Sequence, residues 1–170
     1  MRNGLTIIMR SLQSLSTEKI LKLIGLALRY PHFSMLSLYA TLKTYSIARK
    51  LFSETNSTSG VGNAFRHALW TCLILMYCCK ISSPKKAILY TQKFTDMHEE
   101  LFPNRPLEKR MDLHNNKIGI DLFKELLHGV HRQFFETSFF VDQLLEKTKS
   151  AQLLTDLNQT LDNELVYLSE

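Results

Sequence analysis

The chain has 170 residues, 45% of them hydrophobic and 22% charged, with a formal net charge of +5. That length and apolar content suit one domain that buries a sizeable core, and they exclude a disordered or low-complexity chain. Its cysteines, Cys72, Cys78 and Cys79, are odd in number and lack CxxC spacing, which excludes a disulfide framework or zinc knuckle and fits a reducing cytoplasm.

The chain opens on a basic segment. Residues 1–50 hold eight Lys or Arg (Arg2, Arg10, Lys19, Lys22, Arg29, Lys43, Arg49, Lys50) against the single acid Glu18, a balance of +7, and the 13 bases and 15 acids that follow give −2. The short apolar run Leu5 to Met9 has no small-residue cleavage site after it, so no secretory signal is expected. Ser16 is the expected N-cap of a helix whose stripe of Ile20, Leu23, Ile24, Ala27 and Leu28 ends at Pro31. A basic amphipathic start of this kind suits either a solvated face or contact of residues 1–50 with an anionic membrane, and it is no strong nucleic-acid signature.

Ser34 is expected to cap a second helix reaching about Phe52, followed by a polar loop over 54–62. Gly60 to Gly62 reads GVG ahead of a helix and could cradle an anion, although the rest of a P-loop or dinucleotide fingerprint is missing. Asn63 is expected to cap a helix running to about Lys80. Its apolar run, Ala68 to Cys79, is shorter than the roughly 20 residues of a membrane span and reads as a buried core helix. Ser83 and Pro84 open the next helix, ending near Leu101, and Pro103 and Pro106 punctuate a connection. A further helix spans about Glu108 to Leu127, with Gly129 placed to stop it. Thr137 or Ser138 opens the last clear helix, and Leu165 to Leu168 has the pattern of a short strand. The expectation is an all-α, single-domain bundle of about six helices around a central apolar one. Its parts are basic helices in 1–53, a motif-bearing core in 62–130, and a C-terminal helix and tail in 131–170.

The polar residues are best read by helix face, at about 100° of rotation per residue. In the helix ending at Leu127, the stripe Gly119, Leu122, Phe123 and Leu126 faces the core, and Asp112, Asn115 and Asn116 project to the same side. His114 falls opposite, with Lys117, Asp121 and Lys124, and is expected in solvent. In the preceding helix His98 lies mid-stripe among Ala87, Tyr90, Thr91, Phe94 and Leu101, with Glu99 at the edge. Asn63, Arg66, His67 and Trp70 sit side by side near the start of the central helix. Unpaired buried polar groups cost about 1–3 kcal/mol each, so these residues must satisfy one another, water, a metal or a ligand.

Two histidines and two carboxylates suit a divalent ion such as Zn²⁺, Mn²⁺ or Fe²⁺, held by His67, His98 and Asp112, with Glu99 as ligand or general base. Arg66 would steady an anionic substrate, Asn63 and Trp70 would contact it, and Asn115 and Asn116 would orient water or ligand. Without metal, the same groups suit general acid and base catalysis. No GxSxG elbow is present, and Cys72 on an apolar face reads as an inert core thiol. The leading expectation is a cytoplasmic, membrane-peripheral hydrolase acting on a phosphodiester, nucleotide or lipid head group. The alternative is a non-catalytic module that docks on a membrane or protein through its basic helices. There Arg66 pairs with Asp112 or Glu99 in a closed structural network.

The order of His67, His98-Glu99 and Asp112 on helices is similar to HD-type metal-dependent phosphohydrolases, but the dyad here is His-Glu and Asp112 follows it closely. GNAFRHALW (Gly62 to Trp70), His98-Glu99 and MDLHNNKIG (Met111 to Gly119) together resemble an uncharacterised bacterial domain family. That family occurs as small proteins and at the ends of polymorphic-toxin-like chains. The resemblance covers about residues 30–130 and implies that Asn63, Arg66, His67, His98, Glu99, Asp112, Asn115 and Asn116 are shared polar positions. It also includes His114, which the face reading sets aside.

Overall fold

A computed structural model describes residues 4–55 and 57–169; Arg2 of the basic segment, and most side chains of the run Leu5 to Met9, lie outside the described residues. Helices α1 (Gly4–Gln13) and α2 (Thr17–Arg29) open the chain, and Ser16 caps α2 by accepting from the Lys19 N–H at 3.4 Å. No residue of α2 is buried. Helix α3 (Pro31–Leu51) starts three residues before the expected Ser34. Pro31 occupies its first turn, where a missing N–H removes no helical bond, and Tyr30 is the single joint between α2 and α3.

Helix α4 (Val61–Ile81) is the axis of the fold, its residues from Gly62 to Cys79 buried except Arg66 and Tyr77. Among the described residues it is the one helix long and apolar enough to cross a membrane, and 78% of that window is buried inside the protein. Its N-cap is Gly60, not Asn63, which lies within the first turn. The Gly60 and Gly62 N–H groups donate to Thr58 Oγ1 and Thr55 Oγ1, each at 3.2 Å, so the loop's own threonines occupy the anion cradle expected there.

Helix α5 (Pro84–Leu101) is capped by Ser83, which accepts from the Lys86 N–H at 3.4 Å. Helix α6 (Pro106–Leu126) begins earlier than the expected Glu108, because Glu108 instead closes a capping box onto the Arg105 N–H at 3.1 Å. Helix α6 packs closely on α4 at Gly119. A Cβ there would stand 2.3 Å from the Ala68 carbonyl oxygen and 3.0 Å from Thr71 Cβ. Helix α7 (Thr137–Lys149) covers the far side with Phe140 and Leu144.

The tail forms a parallel two-stranded pair, β1 (Gln152–Leu153) with β2 (Val166–Tyr167), Gln152 opposite Val166. Strand β2 lies within the expected 165–168 segment; β1 had no counterpart in the sequence reading. The pair packs Leu154, Val166 and Leu168 on Met111 as a small second core. The chain is thus an all-α bundle around a central apolar helix, with seven α-helices among the described residues.

Candidate functional site

The N-terminal half of α4, the end of α5 and the start of α6 meet beside an open cavity of about 770 Å³. Its wall includes Asn63, Arg66, His67, Trp70, His98 and Asp112, and hydroxyls from α1, α3 and the 57–59 loop, including Ser11, Thr41, Thr44 and Ser59. Of the inward-facing groups expected from helix periodicity, Asn63, Arg66, His67, Trp70, His98 and Asp112 line this cavity, while Glu99, Asn115 and Asn116 are buried outside its lining.

Behind the wall formed by His67 and Asp112 lies Glu99, and the three each present one ligand atom, all within 4.8 Å of one another. This trio differs from the expected His67, His98 and Asp112. Glu99, placed at the stripe's edge in the sequence reading, is 2% exposed, whereas His98 is only half-buried. The ring of His98 stands 6.5 Å from that of His67 and packs against Trp70 and Phe102, each at 5.0 Å. A tilt of α5 by a fraction of a residue step is enough to exchange the two neighbours, which wheel arithmetic does not resolve.

The hydrogen bonding around His67 determines what the trio can do. Asn116 Oδ1 lies 3.3 Å from His67 Nδ1; with that oxygen as acceptor, Nδ1 carries the proton and Nε2 offers its lone pair. Nε2 lies 3.3 Å from Asp112 Oδ1, yet that oxygen receives no hydrogen bond among the described residues, and neither does Glu99 Oε1. In that tautomer His67 Nε2 and Asp112 Oδ1 present lone pairs to one another with a Glu99 carboxyl oxygen within 4.8 Å, an arrangement that a shared proton or a cation relieves. Tetrahedral ligand bonds of about 2.0–2.2 Å would put two donors of one Zn²⁺ roughly 3.3–3.6 Å apart; the His67–Asp112 spacing of 3.3 Å matches, and the trio as a whole, within 4.8 Å, would draw together around an ion. Asp112 is oriented by Asn104, whose Nδ2 donates to Oδ2 at 3.0 Å.

Burial pushes the Glu99 carboxyl up to about 8, helped by neighbouring Asp112 and opposed by Lys109 and Arg66. Asp112 is pushed up to about 6, again mainly by burial, with Arg66 and Asn104 opposing. Burial, with the Arg66 charge, holds His67 well below its ordinary value and His98 down to about 4, so both imidazoles are neutral. Arg66 makes no ion pair among the described residues. Its guanidinium donates to Asn63 Oδ1, its buried Nε has no partner, and Asp112 and Glu99 act on it only at longer range. Of the closed network expected under the non-catalytic alternative, the Arg66–carboxylate pair is not formed, whereas His67 does meet Asp112 and Asn116 does bridge α6 to α4.

Two expectations from the HNN triplet are corrected. His114 is not a solvent residue: it is half-buried, with Nε2 2.8 Å from the Glu164 carbonyl oxygen. Asn115, expected to orient water or ligand, spends both ends of its amide on β2, donating to the Val166 carbonyl at 2.8 Å and accepting from the Val166 N–H at 3.0 Å. Both residues hold the C-terminal tail, whose docking onto α6 no local pattern reveals. Asn104 and the hydroxyl-bearing wall residues also escaped the sequence reading, since they lie in loops or on helix faces without a distinguishing period. The cysteines conform to it: all three are buried and free, burial pushes Cys78 up to about 12 and Cys79 to about 11, and Cys72 is raised further and donates to the Gly119 carbonyl at 3.2 Å.

The family described as Domain of unknown function (DUF6973) matches residues 24–152, about three quarters of the chain, and the chain belongs to that family. No curated protein and no solved structure matches it. The matched span contains α3 to α7 and every residue of the trio, while Val166, the anchor of Asn115, lies beyond it.

Proposed function

We propose that this member of the DUF6973 family is a small divalent-metal-dependent hydrolase acting on a phosphodiester, a nucleotide or a lipid head group. The observation that carries the reading is the convergence of His67, Glu99 and Asp112 within 4.8 Å of one another, two of them, His67 and Asp112, on the wall of an open cavity that Arg66 also lines. Two neighbouring carboxyls whose burial raises both are costly, and such groups cluster where chemistry needs them. His67, Glu99 and Asp112 hold the ion, and Asn116 fixes the His67 tautomer from behind. A divalent ion held there would supply Lewis acidity toward a phosphoryl group and lower the pKa of water toward neutrality.

The remaining roles belong to side chains of the cavity. Arg66, a cation without an ion pair, takes the phosphoryl oxygens and their developing negative charge. His98, neutral and on the wall, accepts the proton of the attacking water. The water oxygen bonds to phosphorus, the ester P–O bond breaks, and the departing oxygen takes up the proton that His98 received. Asn63 and Trp70 border the substrate space. The resemblance to domains of toxin-like chains favours nucleic acid or lipid among the substrate classes, and the three free thiols favour a reducing, cytoplasmic setting.

The test is a hydrolysis screen of the full chain, with Mn²⁺, Zn²⁺ or Fe²⁺, against a chromogenic phosphodiester, nucleotides and glycerophospholipids. Metal-dependent turnover should fall by about 100-fold or more in Asp112→Asn while the circular dichroism spectrum is kept. Turnover that is indifferent to both metal and Asp112→Asn, or absent on all three classes, rejects the reading.

A further inference from the structure

The outer face of the N-terminal helices is unusual for a protein surface. On α2, Leu23, Leu26 and Ala27 turn toward the protein, while Ile20, Leu21, Ile24 and Leu28 fall within about 100° of arc on the other side and are exposed. Leu21 is 63% and Leu28 77% exposed. On α3 the buried residues Ser37, Ala40, Thr44 and Ala48 define the inner face, and Met35, at 73% exposure, and Leu38 project from the opposite one. Single exposed leucines need no explanation, but six large aliphatic side chains on two adjoining helices do. Two exposed cations accompany them, Arg29 in the last turn of α2 and Arg10 in the last turn of α1, while Lys22 is paired with Glu18 and Glu100.

We infer that this face of α2 and α3 lies on an anionic membrane surface, with the aliphatic side chains at the level of the lipid head groups and the basic residues beside lipid phosphates. Charge selects this occupant. Within the +7 balance of residues 1–50, Lys19, Lys22 and Lys43 bond to Leu101, to Glu18 and Glu100, and to Tyr77; the exposed Arg10 and Arg29 would set like charges against each other in a symmetric pair of such faces, whereas a negatively charged bilayer complements both them and the aliphatic arc. The inference is independent of the catalytic reading. Where both hold, they narrow the substrate, because α3 turns Thr41, Thr44 and Tyr45 into the cavity from its inner side. The cavity and the proposed lipid-facing side then share α3, which makes the lipid head group the favoured substrate class.

The experiment is co-sedimentation of the full chain with vesicles of phosphatidylcholine and phosphatidylglycerol, against pure phosphatidylcholine, in the presence of EDTA so that no metal chemistry enters. Binding should require the anionic lipid and weaken at high salt. A Leu21→Glu/Leu28→Glu variant should bind about tenfold more weakly or less, with an unchanged melting temperature, because both side chains point outward. No binding to anionic vesicles, or equal binding by the variant, overturns the inference. So does a dimer, seen by sedimentation velocity and dissolved by the same substitutions, since the face would then belong to a second copy. None of these outcomes bears on hydrolysis of soluble substrates, which the preceding screen tests.

Discussion

Replacing Gly119 by alanine tests whether the contact of α4 with α6 assembles the site. The backbone at Gly119 is helical, with no positive φ, so alanine there would by propensity alone stabilise the fold by about 0.5–1 kcal/mol. The added methyl, however, would stand 2.3 Å from the Ala68 carbonyl oxygen, roughly 1 Å inside normal van der Waals contact, and it would meet backbone rather than a pliable side chain. Helix α6 must therefore move by about that amount. Overpacking of this kind costs about 1–3 kcal/mol, which outweighs the propensity gain and leaves a net loss near 1–2 kcal/mol. For a chain of this size the melting temperature should fall by roughly 2–8 °C, read by calorimetry or circular dichroism. Asp112 and Asn116 ride on α6 and His67 on α4, so the shift also opens the 3.3 Å contacts between them and should weaken metal binding by about tenfold. The sign makes the test sharp. A melting temperature raised or unchanged in Gly119→Ala would mean that the helices do not approach as described, and the geometry of the site would fall with them.

The folded protein keeps the Glu99 proton to about pH 8, whereas the unfolded chain loses it near the ordinary value of 4.5. Unfolding then releases a proton, so metal-free stability should decline by about 1–2 kcal/mol between pH 6.5 and 8 and level off above. Below pH 6.5 the neutral His67 and His98 act in the opposite sense, because the unfolded imidazoles gain protons that the folded ones lack. Denaturant titrations across that window should show the decline in the parent and its absence in Glu99→Gln; an equal decline in both places the proton elsewhere. Asn115→Ala leaves the Val166 N–H and carbonyl without partners and should cost about 2–4 kcal/mol, with faster hydrogen exchange over 152–168. Unchanged exchange there would remove Asn115 from its role as anchor of the tail.

The central helix was legible because Ala68 to Cys79 is apolar on every side, which only a helix enclosed by others tolerates. The helix starts at Ser16 and Ser83 were legible for a local reason, since capping chemistry depends on residues within one turn. The boundaries that failed, Ser34 and Asn63, are sound caps that were overridden one turn earlier by Pro31 in a first turn and by Gly60 against the threonine loop. Periodicity correctly aimed Asp112, Asn115 and Asn116 inward but says nothing of what waits there. Asn116 meets His67, whereas Asn115 meets a strand some fifty residues later in the chain. The exchange of His98 for Glu99 is the same lesson at finer grain: adjacent residues differ by about 100°, and the pose of α5 on α4 decides which of two polar neighbours is buried.

The claim on which the functional account rests is that His67, Glu99 and Asp112 together hold one divalent ion. Calorimetric titration of metal-free full-length protein with Mn²⁺ and with Zn²⁺ measures this directly, without reference to any substrate. The account predicts about one ion per chain for at least one of the two metals, proton release on binding, and an affinity about 100-fold weaker in Asp112→Asn. Failure of both metals to bind, or equal binding by the variant, would contradict it.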